Sequence, residues 1–402
     1  SATDALELGI DVGGLDAVIM NGYPGSVNSF WQRAGRAGRG GRDGLAIMGA
    51  REDPLDAYLL RHPEAVLDAA RERALTRPDN PKILEDHLLC AVAEAPLSPS
   101  ETSFLPDGAL DAIERLERRG EVTFAAGAFR STGDPAPALG VSIRGMGGPS
   151  VSLRVGDVEI GTMERWRAMH SAHEGAVYLH RGATFVVESL DLEKGIAAMR
   201  PAEVDHYTQA VVQSVIVETG RRGGDGRMAL VDATVSEEVI GFRRKALDGS
   251  EQSDVEPLLL PPIVFETTAV RLELPVETGT NADPARRMGG LHGAEHALLA
   301  IAPLFAGCDR GDLGSSWFAA APPDGRPCVY VYDRAPGGVG LSDGLFADRA
   351  AWVEAAHRLV AECPCADGCP VCLLSPRCES GNEPLDKPET AAVLAWLTER
   401  LR

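Results

Sequence analysis

Lysine, aromatic residues and long apolar runs are scarce in this sequence. Only four of its 402 residues are lysine, and aromatic residues make up 5%. No run of 18 apolar residues occurs, so no segment is predicted to cross a bilayer as a helix. Residues 1–6 have neither the basic nor the apolar region of a secretory signal peptide. These absences predict a cytoplasmic protein with no membrane partner, whose eight cysteines stay reduced.

The chain also lacks an excess of positive charge. Its 59 acidic residues against 39 Lys and Arg give a formal net charge of −20. This balance argues against a uniformly basic surface that binds nucleic acid nonspecifically, although local basic tracks remain compatible with it. At roughly 100–200 residues per domain, the length predicts two to four domains.

The first half of the chain divides into two predicted units. In residues 1–75, a strand at 15–21, a helix at 26–39 and a strand at 44–49 predict a parallel α/β unit. The chain starts inside this unit, so we expect it to be part of a longer protein. In residues 76–135, two helical patterns followed by a hairpin at 121–130 predict a winged-helix-like segment.

The second half is predicted to contain two further units. Residues 136–285 alternate with period two and predict a β-rich domain, in which Arg181-Gly182 is a two-residue hairpin turn. Residues 286–402 return to an α/β pattern around a cysteine-rich segment. The predicted fold class is therefore multidomain, α/β and α+β.

Two elements near the start carry the strongest chemical signal. TDALELGID at residues 3–11 is followed, after 20 residues, by QRAGRAGR at residues 32–39. The second element spaces Arg33, Arg36 and Arg39 three residues apart, which keeps neighbouring guanidinium groups roughly on one side of a helix. Arginine suits phosphate because its planar fork binds two oxygens and stays charged. The intervening glycines permit close approach of a phosphate or another backbone.

These elements resemble motifs V and VI of superfamily-two helicases of the DEAD/DEAH-box type. The resemblance implies a partial RecA-like lobe in which Arg36 and Arg39 are arginine fingers that stabilise the transferring γ-phosphate. It implies that Gln32 senses the same phosphate. These three residues are the candidate catalytic set.

The same resemblance assigns the motif V residues. It implies that Gly9 and Asp11 contribute to the ATP site, with the carboxylate near the ribose, and that Thr3 contacts the nucleic-acid backbone. No G-x-x-x-x-G-K-[ST] motif is present, because lysine never follows glycine in this sequence. The chain alone should therefore not hydrolyse ATP; ATP and Mg²⁺ would be bound together with an upstream RecA-like lobe of the same protein.

Five of the eight cysteines fall within residues 363–378. A C-x-C pair and a C-x₂-C pair can supply the four thiolates that a tetrahedral zinc ion needs. We expect Cys363, Cys365, Cys369 and Cys372 to be the ligands, with Cys378 as a competitor. Four thiolates leave no open coordination position, so the predicted zinc site is structural.

This cysteine segment and its tail at 375–387, with residues 292–298 and 332–340, resemble the mitomycin repair factor A family. The resemblance implies an ATP-dependent helicase that translocates 3′ to 5′ on DNA and acts in repair of cross-linked or adducted DNA. DNA, single-stranded or as a 3′-tailed duplex, would be the partner. A noncatalytic, zinc-stabilised DNA-binding or regulatory module is the alternative.

A third possibility comes from His292, Glu295 and His296, which match the zinc-peptidase pattern H-x-x-E-H. A zinc hydrolase would need a third ligand, and no downstream carboxylate stands out. An apolar helix face around these residues favours a core helix instead. Elsewhere, basic pairs such as Arg165 and Arg167 beside Trp166 are expected to be solvated faces or parts of a strand track.

Overall fold

The computed structural model describes residues 15–38, 41–70, 72, 77–133, 136–141, 149–248, 253–275, 283–321 and 325–401. Thr3, Gly9, Asp11 and Arg39 lie outside the described residues. Within the described part, no helix is long and apolar enough to cross a membrane.

The N-terminal unit has the predicted β–α–β order. It consists of β1 (Ala17–Asn21), α1 (Val27–Ala34) and β2 (Leu45–Gly49), and the two strands are parallel. Ser26 begins the helix because its side chain accepts a hydrogen bond from the Ser29 amide at 3.0 Å. Gly38 has φ +72°, and a Cβ there would lie 2.6 Å from the Arg42 carbonyl oxygen. This glycine therefore allows two backbone segments to approach each other.

Two short helices, α2 (Pro54–Arg61) and α3 (Glu64–Leu67), lead into the winged helix. The winged helix consists of α4 (Pro81–Glu94), α5 (Ala109–Arg118), β3 (Val122–Ala125) and β4 (Ala128–Ser131). A 3₁₀ turn, Glu101–Phe104, lies between the helices, and a second, Pro137–Leu139, follows the hairpin. Apolar residues of both helices and of β3 form a separate core cluster. The predicted helices and wing are confirmed.

A five-stranded sheet follows. Its elements are β5 (Ser150–Val155), β6 (Val158–Glu164), α6 (Arg165–Ser171), β7 (Val177–His180), β8 (Ala183–Asp191) and β9 (Ile196–Pro201), with strand order β6-β5-β9-β8-β7. The predicted turn between β7 and β8 is present: His180 pairs with Ala183, and Arg181 and Gly182 both have positive φ. Two positive φ values match a hairpin turn whose twist fits the flanking strands.

A six-stranded sheet forms the centre of the rest of the molecule. Its strands are β10 (His206–Gly224), β11 (Met228–Ala246), β12 (Glu256–Pro257), β13 (Ile263–Glu273), β14 (Leu313–Ala321) and β15 (Arg326–Asp333). Their order is β10-β11-β13-β15-β14, with β12 on β11. The sequence pattern changes between residues 285 and 286. Because β13 pairs with β15, one sheet contains strands from both sides of this predicted boundary. Strand β10 continues through residues 220–224 and has bulges near residues 211, 219 and 222.

Four helices complete this part of the molecule: two pack against the sheet, and the last two pack against the first of them. They are α7 (Pro284–Ala306), α8 (Leu341–Ala347), α9 (Arg349–Ala361) and α10 (Lys387–Leu401). Helix α7 approaches α10 closely at two glycines: a Cβ on Gly290 would lie 2.5 Å from Glu389 Cβ, and one on Gly293 would lie 2.1 Å from Thr390 Oγ1. Side chains larger than glycine would separate the two helices.

One hydrophobic core joins the N-terminal unit to these helices. Tyr23, Leu55 and Tyr58 belong to the same buried cluster as residues of α7, α9 and α10, including Leu298 and Trp352. Phe30 of α1 also packs against this cluster, so the helix that leads into motif VI contacts the shared core.

Candidate functional site

The motif VI residues lie at the C-terminal end of α1. Gln32 is exposed in the last turn of the helix, and Arg36 is half-buried in the turn that follows. The helix ends where the Gly35 amide donates to the Trp31 carbonyl at 2.8 Å. The next residues run back to the start of β1, since Gly38 donates to the Leu15 carbonyl at 3.0 Å. Gln32 and Arg36 thus occupy one end of the β–α–β unit.

The N-terminal unit is tied to the C-terminal region through Asp56. This carboxylate is fully buried and accepts hydrogen bonds from the amides of Tyr23 at 3.1 Å and Arg51 at 2.9 Å. Arg310, which follows α7, lies 3.7 Å from the Asp56 carboxylate and also pairs with Asp53. Burial, with Arg51 and Arg377 nearby, lowers the pKa of Arg310 to about 10. The sequence contained no signal for this ion-pair network.

The winged helix is held at its first helix by Asn80. Its side-chain oxygen accepts from the Lys82 and Ile83 amides at 2.9 and 3.1 Å, which caps α4. Its side-chain nitrogen donates to the carbonyls of Pro336 at 3.0 Å and Gly338 at 2.5 Å. One buried side chain therefore joins the winged helix to the loop after β15.

The same loop is organised by Asp333, the last residue of β15. The Asp333 carboxylate accepts hydrogen bonds from the amides of Val339 at 2.7 Å and Ser342 at 2.8 Å, and from the Ser342 hydroxyl at 2.6 Å. Asp333 is fully buried and lies at the N-terminus of α8. These hydrogen bonds explain why a carboxylate is buried here, and no bound ligand is needed to explain it.

Four cysteine sulfur atoms converge in the segment between α9 and α10. The Sγ atoms of Cys363, Cys365, Cys369 and Cys372 lie within 4.8 Å of one another, and four of their separations are 3.6 Å. A tetrahedral zinc ion with Zn–S bonds of about 2.3 Å requires sulfur separations of roughly 3.8 Å. None of the four is in a disulfide. The cluster fits a closed, structural zinc site.

Lys387, the first residue of α10, reaches into this cluster. Its buried Nζ donates to the carbonyls of Cys363, at 2.7 Å, and Cys365, and it lies 3.3 Å from Cys365 Sγ. Burial raises the pKa of the Cys365 thiol, but hydrogen bonds from the other three cysteines and Lys387 outweigh it and lower this pKa to about 7. Lys387 was not predicted from the sequence, although it is one of only four lysines in the chain.

Cys378 does not join the four-cysteine cluster. It lies instead with His292 and His296 of α7, and the three ligand atoms are within 4.8 Å of one another. Burial raises the pKa of Cys378, but hydrogen bonds with His292 and His296 outweigh this and lower it to about 4. Helix α7 is a buried core helix, as predicted. The third residue beside the two histidines is a cysteine, where the hydrolase interpretation sought a carboxylate.

Several of the scattered basic residues are engaged in local contacts. Arg222 pairs with Asp232 at 2.6 Å, and Arg286 pairs with Asp386 at 2.7 Å. Trp166 is half-buried and hydrogen-bonds to Glu164. These contacts favour the solvated-face interpretation for these residues.

Three family models match the chain in sequence order. The helicase conserved C-terminal domain matches residues 1–41, the winged helix domain of ATP-dependent helicase HRQ1 matches residues 76–146, and the MrfA Zn-binding domain matches residues 294–373. The third match contains all four clustered cysteines. The order of the matches is the order of the units predicted from sequence.

Two curated relatives align over nearly the whole chain. The uncharacterized ATP-dependent helicase YprA of Bacillus subtilis is 34% identical over 381 residues, which cover 92% of this chain and 51% of that protein. ATP-dependent helicase HRQ1 of Saccharomyces cerevisiae is 27% identical over 430 residues, which cover 98% of this chain and 39% of that protein. The chain spans about half the length of the first relative and about two fifths of the second.

Solved structures of the DUF1998 helicase MrfA share the fold. A crystal structure of MrfA bound to DNA has a TM-score of 0.59 and 31% identity, covering 99% of this chain and 53% of that one. A second MrfA structure has a TM-score of 0.62 and 31% identity, covering 90% and 52%. The chain is therefore homologous to the C-terminal part of the YprA and HRQ1 helicases, and its C-terminal region contains a zinc-binding domain of the MrfA type.

Proposed function

We propose that this chain is the C-terminal part of an ATP-dependent 3′–5′ DNA helicase that acts in the cytoplasm on cross-linked or adducted DNA. Its role is to supply the arginine-finger side of the ATPase site and the accessory domains that engage DNA. The carrying observation is that the motif VI turn, with Gln32 and Arg36, belongs to a β–α–β unit that shares one core with the zinc-bearing region.

In this proposal, residues 1–75 are the C-terminal portion of the second RecA-like lobe and residues 76–135 are the winged helix. Residues 136–285 are the β-rich domain and residues 286–402 the zinc-bearing α/β domain, and the six-stranded sheet joins these two. ATP and Mg²⁺ would bind between this lobe and an upstream RecA-like lobe.

The catalytic assignment rests on charge placement. Arg36 and Arg39 would stabilise the negative charge that develops on the transferring γ-phosphate, and Gln32 would contact the same group. Gly9 and Asp11 would contribute to the nucleotide site, and Thr3 would bind the nucleic-acid backbone. The half-buried position of Arg36 supports this role, because a partly desolvated guanidinium interacts more strongly with phosphate than an exposed one.

The zinc assignment rests on the donor set. Four thiolates at the observed separations would hold one Zn²⁺ without an open position, so the ion would stabilise the fold and take no part in chemistry. Lys387 would offset part of the negative charge of such a site and connect it to α10. A Cys₄ zinc site also suits a reducing compartment such as the cytoplasm.

The test is DNA-stimulated ATP hydrolysis by the complete protein, including the upstream lobe. Arg36→Ala is expected to lower kcat by roughly 10³-fold or more, as loss of an arginine finger does, while nucleotide binding stays within a few fold. Arg42→Ala is the matched control. Arg42 is exposed, and its ion pair with Asp16 is long, at 3.8 Å, and also exposed. Its turnover should match that of the parent protein.

Two results would contradict the proposal. Equal turnover in the Arg36→Ala and parent proteins would remove the arginine-finger assignment. DNA binding with no ATP hydrolysis and no strand separation on a 3′-tailed duplex would favour a noncatalytic DNA-binding module instead.

A further inference from the structure

A second group of metal-ligating side chains lies beside the four-cysteine cluster and has no part in the proposed function. His292 and His296 are one helical turn apart on α7, and Cys378 comes from the segment between the cysteine cluster and α10. Cys378 Sγ is 3.3 Å from His292 Nε2, and all three ligand atoms lie within 4.8 Å. His292 and Cys378 are outside the segment that matches the MrfA Zn-binding domain.

Both imidazole rings are oriented by backbone carbonyls. His292 Nδ1 lies 2.9 Å from the Pro384 carbonyl oxygen, and His296 Nδ1 lies 2.8 Å from that of Leu373. A carbonyl oxygen only accepts, so in the neutral imidazole each Nδ1 carries the proton and each Nε2 has a lone pair. Metal-ligating histidines are held by this kind of outer contact.

The two Nε2 lone pairs favour the binding of a cation. Two Nε2 acceptors face one cysteine, which has at most one S–H to donate. One acceptor is therefore left unsatisfied unless a proton or a metal ion enters the cluster. His292 and His296 are largely buried, with 3% and 7% of their surface exposed, so bulk water has little access to the unsatisfied Nε2 atom.

We propose that His292 Nε2, His296 Nε2 and Cys378 Sγ bind a second Zn²⁺ ion. Two imidazoles and one thiolate are ligands that zinc prefers. Tetrahedral coordination with ordinary Zn–S and Zn–N bonds requires an S–N separation of roughly 3.6 Å. The observed 3.3 Å differs from this by a few tenths of an ångström.

The surroundings cover this ion on one side and place negative charge beside it. The ring of Trp317 stacks on that of His292, with centroids 5.3 Å apart, and covers it. The carboxylate of Glu295 is hydrogen-bonded by Ser315 and lies 3.6 Å from His296 Nε2, where it adds negative charge beside the ion. Glu295 is thus a neighbour that stabilises the cation or a water in its fourth position.

The ion would fasten a whole segment to α7. The two imidazoles already contact the backbone at Leu373 and Pro384, near both ends of this segment, and Cys378 lies between them. A metal bond to Cys378 would add a third attachment between this segment and α7. The segment leads directly into α10, so the second ion would help position that helix.

The test is the zinc content of the full chain, saturated with zinc and then separated from unbound metal. Two equivalents per chain are expected. Cys378→Ser and, separately, His296→Gln should each leave one equivalent, and retention of that equivalent shows that the four-cysteine cluster is still folded. Cys90→Ser, a change on α4 remote from both clusters, is the matched control and should leave two.

Cobalt substitution adds a spectroscopic readout that metal counting lacks. The sulfur-to-cobalt absorption of the second site should vanish in Cys378→Ser while that of the four-cysteine site persists. One zinc equivalent in the parent chain, unchanged by Cys378→Ser and lost on Cys369→Ser, would overturn the second site and leave the proposed helicase function intact.

Discussion

The structure predicts that replacing Lys387 by methionine loosens zinc and detaches α10. Methionine retains an unbranched apolar side chain but donates no hydrogen bond. The change would remove the hydrogen bonds to the carbonyls of Cys363 and Cys365 and the cationic contact with the Cys365 sulfur at 3.3 Å.

The magnitude follows from these contacts. A buried acceptor that loses its donor costs about 1–3 kcal/mol, so two carbonyls contribute roughly 2–6 kcal/mol. Loss of an outer-shell contact to a metal ligand weakens metal binding by about 10–100-fold. At about 4 kcal/mol, the middle of the total for the two carbonyls, hydrogen-exchange protection in α10 should fall by roughly 10³-fold.

Two assays measure this effect. Competition with a chromophoric chelator reports the affinity of the four-cysteine site for zinc, and hydrogen exchange reports the opening of α10. Lys82→Met is the matched control, because Lys82 also lies at a helix start but is half-exposed and pairs with Asp86 at 2.7 Å across one turn. Such a pair contributes about 0.3–0.5 kcal/mol, so the control should keep its zinc and its protection. Parent-like zinc affinity and exchange in Lys387→Met would refute the reasoning.

Three further outcomes are expected. Arg310→Met leaves the buried Asp56 carboxylate with a partner removed, so it should destabilise the packing of α2 by about 3 kcal/mol, measured by hydrogen exchange in that helix. Gly293→Ala places a methyl group 2.1 Å from Thr390 Oγ1 and should destabilise the α7–α10 contact by about 1–3 kcal/mol, whereas Gly311→Ala, which meets open space, should not; equal thermal unfolding of the two variants would contradict this. Chelation of zinc should raise exchange in α9, α10 and the segment between them and leave the winged helix, which has its own core, protected; uniform exchange throughout the chain would argue against a local metal effect.

Features encoded within a few consecutive residues were predictable from sequence. Ser26 caps α1 because its side chain reaches an amide three residues on, and Arg181-Gly182 forms a hairpin turn because the two residues adopt positive φ. Cys363 and Cys372 come together within ten residues of chain, so their spacing alone predicted a shared metal site. The winged helix was predictable for a similar reason: its two helices and hairpin are consecutive and bury their own core.

Tertiary structure decided the arrangements that join distant parts of the chain. Strands of the β-rich region pair with β15, which the sequence pattern assigns to another unit, because many alternating strands have compatible faces and only the complete core selects the partner. Cys378 competed for the first zinc site on sequence spacing, yet it meets His292, 86 residues away, once α7 is buried. Arg310 finds Asp56 through the same shared core. Local motifs therefore determined which chemical groups this protein carries, and long-range burial determined which of them act together.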